Sequence, residues 1–100
     1  MIRVMSRQEH ALLELQSARC WAETLPPHKR QAEESILWAV EGVLRSPELW
    51  PQPGCYPSFT EARDIVNNDW VRQRAYAAMQ PYAIALMARQ MFNWQGPIGY

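Results

Sequence analysis

The chain has 100 residues, of which 48% are apolar and 20% are charged, a composition typical of one globular domain and not of a disordered segment. Ten basic and ten acidic side chains give a formal net charge of zero, which argues against a protein whose main task is to bind a phosphate backbone. Residues 1–16 contain no continuous apolar core and no small-residue cleavage site, so we expect a cytoplasmic protein without a signal peptide, with Cys20 and Cys55 as reduced thiols.

The first predicted helix begins after Ser6. Ser6 and Glu9 have the spacing of a capping box, in which each side chain accepts a hydrogen bond from the backbone N–H of the other residue. Apolar residues then recur at steps of three and four, which predicts one buried stripe of Ala11, Leu12, Leu15, Ala18, Ala22 and Leu25. Pro26 and Pro27 should end this helix, because a proline cannot donate a helical hydrogen bond and restricts the residue before it.

A second helix is predicted over residues 29–45. Its predicted core stripe consists of Ala32, Ile36, Ala39, Val40 and Val43. Leu37 and Leu44 lie on one flank of this stripe. Gly42 lies inside this helix, where glycine costs about 1 kcal/mol relative to alanine, and a close helix crossing is one explanation for it. Ser46 and Pro47 indicate a new helical turn. Residues 50–58 contain three prolines and a glycine without periodicity, which predicts a Pro-rich loop.

A third helix should follow the Pro-rich loop. Ser58 and Glu61 repeat the capping-box spacing at its start. Its apolar face is predicted to consist of Phe59, Ala62, Ile65 and Val66. Residues 67–69 interrupt the pattern, and either Asn68 or Asp69 can cap the helix that comes next.

The last predicted helix covers residues 70–94 and is apolar on every side, so it must be covered on more than one of them. Pro81 removes one helical hydrogen bond, and the helix should therefore kink there or break into two segments. Gly96 and Pro97 should stop it. We exclude a membrane span, because the longest uncharged run, residues 75–88, is shorter than the roughly 20 residues that a bilayer requires.

These elements predict an all-α fold in which residues 1–100 form one compact domain of four or five helices. The kinked C-terminal helix is expected at the centre, with the first two helices packed against it as an antiparallel hairpin. Residues 82–91 are apolar around the whole helix, which favours a homodimer with a surface made of Tyr82, Met87 and Met91.

Trp38 is the best candidate for a partner-binding surface. Rotation about the second helix places it almost opposite the core stripe, among charged residues. Tryptophan side chains dominate the energetics of many interfaces, so the sequence predicts a protein-binding patch of Trp38, Leu13, Trp50 and Tyr56. Alternatively, the Pro-rich loop or the C-terminal tail with Tyr100 covers Trp38 within the fold.

Nucleic-acid binding is the alternative function, through Arg72, Arg74 and Arg89 with the aromatic residues near them. These are the only charged residues after Asp69. Stacking on nucleobases requires aromatic side chains interleaved with basic ones, but Arg72 and Arg74 point about 160° apart on a helix. Arginines on the two edges of a buried helix, with their charged ends in water, explain the same pattern.

An enzyme is the third possibility, and it has the weakest support. Cys55 would need a base, normally a histidine, within hydrogen-bond reach, and neither His10 nor His28 stands in a recognised relation to it. No spacing of cysteines and histidines indicates a metal site, and no glycine-rich loop indicates a phosphate or other cofactor. By elimination, we expect a non-enzymatic protein-interaction domain, a regulator, adaptor or inhibitor of a protein partner.

Overall fold

The computed structural model describes the backbone of residues 4–93 and the side chains of residues 4–89. This part of the chain is helical and contains no strand, which confirms the prediction of an all-α fold. Its elements are α1 (Arg7–Ala22), α2 (Pro27–Leu44), a 3-10 turn (Pro47–Leu49), α3 (Phe59–Ile65) and α4 (Asp69–Asn93). The predicted stop at Gly96 and Pro97, like Trp94 and Tyr100, lies outside the described residues.

Both predicted capping boxes are present. The Ser6 hydroxyl accepts from the Glu9 backbone N–H at 3.1 Å, and the Glu9 carboxylate accepts from the Ser6 N–H at 3.3 Å. Ser58 and Glu61 form the same pair of bonds at 3.1 and 3.2 Å. At the start of α4 the Asn68 side chain accepts from the two backbone N–H groups that follow Asp69, at 2.9 and 3.2 Å. Each of these helices therefore begins where its local sequence satisfies the first free N–H groups.

α2 begins at Pro27, two residues before the predicted start. A proline suits the first position of a helix, because that position has no intrahelical N–H bond to lose and the ring already holds the helical φ. Pro26 is therefore the N-cap of α2, and Pro27 is its first helical residue. α1 has already ended at Ala22, before both of them.

The central helix is α2 and not, as predicted, the C-terminal helix. α2 contacts α1, α3, α4 and the 3-10 turn, whereas α4 packs chiefly against α2. The reason is the width of the buried face of α2, which covers more than half of its circumference and includes Leu37, Ala39, Val40, Gly42, Val43 and Leu44. The buried face is thus wider than the predicted stripe and includes its leucine flank. Leu37 is only 1% exposed, and Ala32 is exposed to solvent.

Gly42 marks a close approach of α2 to α4. A Cβ atom built on Gly42 would lie 2.4 Å from the carbonyl oxygen of Ala75, far inside van der Waals contact. The contacted atoms belong to the backbone of α4 and cannot rotate away. The close helix crossing that would explain this glycine is therefore present.

α1 and α3 complete the core on the other side of α2. Ala11, Leu15 and Ala22 of α1 are buried as predicted, whereas Leu12 is exposed. On α3 the predicted face is also the packed one, with Phe59, Ala62 and Val66 buried and Ile65 half-buried.

α4 continues as one α-helix through Pro81, so of the two predicted alternatives the break into two segments is wrong, and the kink stays a prediction. Pro81 and Ala77, whose carbonyl loses its helical partner, are both exposed. Water can therefore form a hydrogen bond with the Ala77 carbonyl, which reduces the cost of the helical hydrogen bond that Pro81 cannot donate. Beyond Met79, none of the residues from 80 to 89 is buried. Within the described residues, no helix is both long and apolar enough to cross a bilayer.

The start of α3 is tied to the start of α1 by Arg7. Its Nε donates to the Tyr56 carbonyl at 2.8 Å, and its Nη2 donates to Glu61 Oε1 at 2.9 Å. The backbone N–H and the hydroxyl of Ser58, together with the guanidinium of Arg7, hold the pKa of the Glu61 carboxyl below its ordinary value of 4.5. Ionised Glu61 is therefore favoured by the folded state.

We expect Glu61→Gln to flatten the acid limb of the stability curve. A carboxyl with a depressed folded pKa contributes stability that is present above the unfolded pKa and is lost as pH falls through the folded pKa. Glutamine can still accept the cap hydrogen bond but does not titrate. Between about pH 5 and pH 3, thermal melts should show a larger loss for the wild-type chain than for the variant. Parallel pH curves would show that Glu61 gains nothing from ionisation in the folded state.

Candidate protein-binding groove

An open groove lies between α2 and α4, next to the end of α1, and has a volume of about 520 Å³. Two helices that cross closely at one point separate on either side of it, and this groove lies on the side toward the C-terminal half of α4. Its apolar surface comes from Leu37 and Trp38 of α2 and from Met79, Tyr82 and Leu86 of α4.

One wall of the groove is held by Glu41. The Glu41 side chain is only 12% exposed, forms an ion pair with Arg19, and accepts from Arg45 Nε at 2.8 Å through its other oxygen. The guanidinium carbon of Arg45 also lies 4.4 Å from the ring centroid of Tyr82, a cation–π distance. Burial, and then the positive charge of Arg45, lower the pKa of Arg19 below its ordinary value. This cluster joins α1, α2 and α4 around the groove.

Three other charged residues on the rim are free to meet a ligand. Glu23 of α1 and Glu34 of α2 are exposed, and so is Arg89 of α4. In the described part of the chain, none of these three side chains forms a hydrogen bond or an ion pair. The rim thus combines a wall of internally paired charges with two carboxylates and one guanidinium that are exposed.

Trp38 lies half-buried in this groove, opposite α4. Residues of α4 and of the end of α1 line the groove together with Trp38, and no residue of the Pro-rich loop does. The C-terminal tail with Tyr100, the other predicted cover, lies outside the described residues. Sequence patterning placed Trp38 correctly away from the α1–α2 core, but it did not reveal that α4 passes beside it.

The structure separates the four residues of the predicted patch. Leu13, at 50% exposure, lines a different and shallower hollow with Met5 and Phe59. Trp50 and Tyr56 pack against the core instead, with their ring centroids 5.1 Å apart, and Trp50 Nε1 donates to the Val43 carbonyl at 2.9 Å. These two aromatics anchor the Pro-rich loop, and burial raises the pKa of Tyr56 above its ordinary value of 10.0.

The predicted dimer residues fall on different faces of α4. Tyr82 lines the groove, whereas Met87, at 62% exposure, is about 140° away around the helix. The side chain of Met91 lies outside the described part of the structure. Sequence analysis did not single out Leu86 as a site residue, although its spacing of four from Tyr82 put both on one face.

The three arginines of the nucleic-acid alternative do not form one surface. Arg72 donates to Asp69 at 2.8 Å and to the Val66 carbonyl at 3.3 Å. Arg74 lies over the ring of Trp70, with 4.6 Å from the guanidinium carbon to the ring centroid. Only Arg89 lines the groove. Two of the three are therefore engaged in contacts within α4 and at its start.

Cys55 lies half-buried in the Pro-rich loop, and its thiol is 3.9 Å from the Tyr56 carbonyl. The Nδ1 atom of His10 lies 2.8 Å from a carboxylate oxygen of Glu14, and in the described part of the chain neither histidine forms a hydrogen bond with that thiol. Cys20 and Cys55 are free thiols. Among the described residues, no three or more histidine, cysteine or acidic side chains cluster closely enough to hold a metal ion.

Comparison of the chain with protein-family models, with curated proteins and with solved structures finds no match. The fold and site define an all-α protein with a central α2 and an open, partly apolar groove beside α4. The candidate function therefore rests on the groove and on residues 80–89 of α4.

Proposed function

We propose that this protein is a small, cytoplasmic, non-enzymatic protein-interaction domain that binds a partner protein in the groove between α2 and α4. The observation that carries the proposal is Trp38, a half-buried tryptophan beside the apolar side chains of Met79 and Leu86. Tryptophan is one of the residue types enriched at interface hot spots, which lie in well-packed pockets that binding completes.

The composition of the groove suits a protein segment. Apolar side chains line its floor, and each Å² of them that a partner removes from water contributes about 25 cal/mol. Charged side chains on the rim, among them Glu23, Glu34 and Arg89, add selectivity and orientation to that apolar contact. An apolar centre with a polar rim is the usual anatomy of a protein–protein interface.

A second copy of the chain is one such partner, as the homodimer predicted from residues 82–91 implies. Residues 80–89 of α4, none of which is buried, favour it, because large apolar side chains such as Ile84 and Met87 are unusual on the surface of a helix that remains monomeric. Nucleic-acid binding has less support, since Arg72 and Arg74 are already engaged within the fold.

We expect Trp38→Ala to remove partner binding while leaving most of the stability intact. Trp38 is half-buried, so its truncation should cost well below the 3–5 kcal/mol typical of a fully buried tryptophan. Binding should weaken by about 30-fold or more, the scale of a hot-spot loss of 2 kcal/mol. A photo-crosslinking amino acid at Glu23, on the rim, would report binding in host cells, with mass spectrometry of the product.

Leu13→Ala is the matched control, because it removes an exposed apolar side chain outside the groove. The crosslinked product should persist in Leu13→Ala and disappear in Trp38→Ala, with similar melting temperatures for the two variants. A large fall in the melting temperature of Trp38→Ala would show that Trp38 belongs to the core. A product that survives in Trp38→Ala would remove the groove as the binding site.

A further inference from the structure

The groove and the helix beside it form a depression next to a ridge. Tyr82, Leu86 and Arg89 are spaced by four and three residues, so they share one face of α4, and all three line the groove. Tyr82 is 43% exposed and Leu86 47%, although the same stripe is fully buried one and two turns earlier, at Met79 and Ala75. An apolar stripe that continues past its own covering helix requires a further cover.

The charges around this face are complementary to one another and not to a uniformly charged partner. Arg89 stands on the ridge, and Glu34 and Glu23 stand on the opposite rim. None of these three side chains has a partner in the described part of the chain, and each is exposed. In a twofold arrangement that brings the ridge of one copy to the rim of the other, the arginine of each copy meets a carboxylate of its neighbour, so that the pair forms twice.

We propose that the occupant of the groove is α4 of a second copy of this chain, in a twofold dimer where each copy places Tyr82 and Leu86 in the groove of the other. Arg89 of each copy then pairs with Glu34 of its neighbour, with Glu23 close by. This inference rests on the proposed function, because it takes the groove to be a protein-binding site and names what fills it. A depression beside a ridge is the shape that such an isologous contact uses.

Sedimentation equilibrium of the purified full chain tests the proposal, over a concentration series at low and at high salt. The wild-type chain should be a dimer that dissociates on dilution. Arg89→Glu and Glu34→Lys should each weaken self-association on the order of tenfold or more, because the twofold axis creates two like-charge contacts. Circular dichroism should show unchanged helix content, since both residues are exposed.

The pairing is tested by mixing the two variants. An equimolar mixture of Arg89→Glu and Glu34→Lys should restore association, because a mixed dimer contains one native pair and one exchanged pair. The double variant should also dimerise by itself. Arg74→Glu is the matched control, since it reverses an exposed arginine of α4 outside the groove and should leave the dimer intact.

Three results would overturn the proposal: a wild-type chain that stays monomeric at every concentration, a dimer insensitive to both single variants, or single-variant losses that mixing does not restore. In the first case the crosslink from Glu23 to a different protein would still support the groove as a binding site. A dimer insensitive to both single variants would use another face of the protein. Failure of the dimer and failure of the groove are thus separate outcomes.

Discussion

Replacing Gly42 with alanine should destabilise the fold by about 1–3 kcal/mol, the usual cost of forcing extra volume into a packed core. The added Cβ would meet the Ala75 carbonyl oxygen at 2.4 Å, so α2 and α4 would have to separate. The melting temperature should fall by roughly 4–8 °C for each kcal/mol, as for other domains of this size. At other positions inside a helix, replacing glycine with alanine raises the free energy of unfolding by about 1 kcal/mol. The sign of the change at Gly42 therefore tests whether the two helices cross closely there.

Ala32→Gly is the control for this prediction. Ala32 is exposed on the same helix, so its replacement reports helix propensity alone and should cost up to about 1 kcal/mol. Adding Ala75→Gly to Gly42→Ala should not rescue stability, because the contacts are with backbone atoms of residue 75. A Gly42→Ala variant as stable as the wild-type chain in thermal and urea melts would contradict the close crossing.

Leu37→Ala should cost about 2–5 kcal/mol, the range for truncating a buried leucine. Leu37 is 1% exposed and lies where α2 faces the groove and Met79 of α4. Its removal takes away the transfer free energy of the side chain and leaves a cavity under the groove. Urea titration with the slope held common to both proteins would measure the loss.

Leu13→Ala is again the matched control, because it deletes the same side chain at a position that is half exposed. It should change the free energy of unfolding by about 0.5 kcal/mol or less, as exposed substitutions usually do. Equal losses for the two leucines would mean that Leu37 is not the buried residue that the α2–α4 packing requires.

Helix starts could be predicted from sequence because the chemistry that starts a helix is local. Ser6 with Glu9, and Ser58 with Glu61, lie three residues apart, and both pairs close the hydrogen bonds that their spacing predicts. Asn68 was one of two candidates for the cap of α4, and the structure selects it. The apolar face of α3 was predicted for the same reason, since residues one turn apart share a face whatever they pack against.

Apolar periodicity could not show which helix is central. It indicates which face of a helix is buried, but it does not indicate which other helix packs against that face. Leu37 and Leu44 were placed on the flank of α2, yet both are buried, since α4 packs on that flank. The all-round apolar character of α4 suggested a central helix. Residues 82–87 of that helix in fact include four large apolar side chains that are 43–65% exposed.

The sequence by itself determined the helical class, the position of most helix ends and the unusual place of Trp38, because all three follow from residues within a turn or two of each other. Only the tertiary structure decided that α2 is central, that Gly42 meets Ala75, and that a groove opens beside Trp38. The physical reason is that the crossing joins Gly42 to the backbone of Ala75, 33 positions further along the chain. Glycine has no side chain, so it adds nothing to the apolar pattern from which the residue it packs against could be predicted.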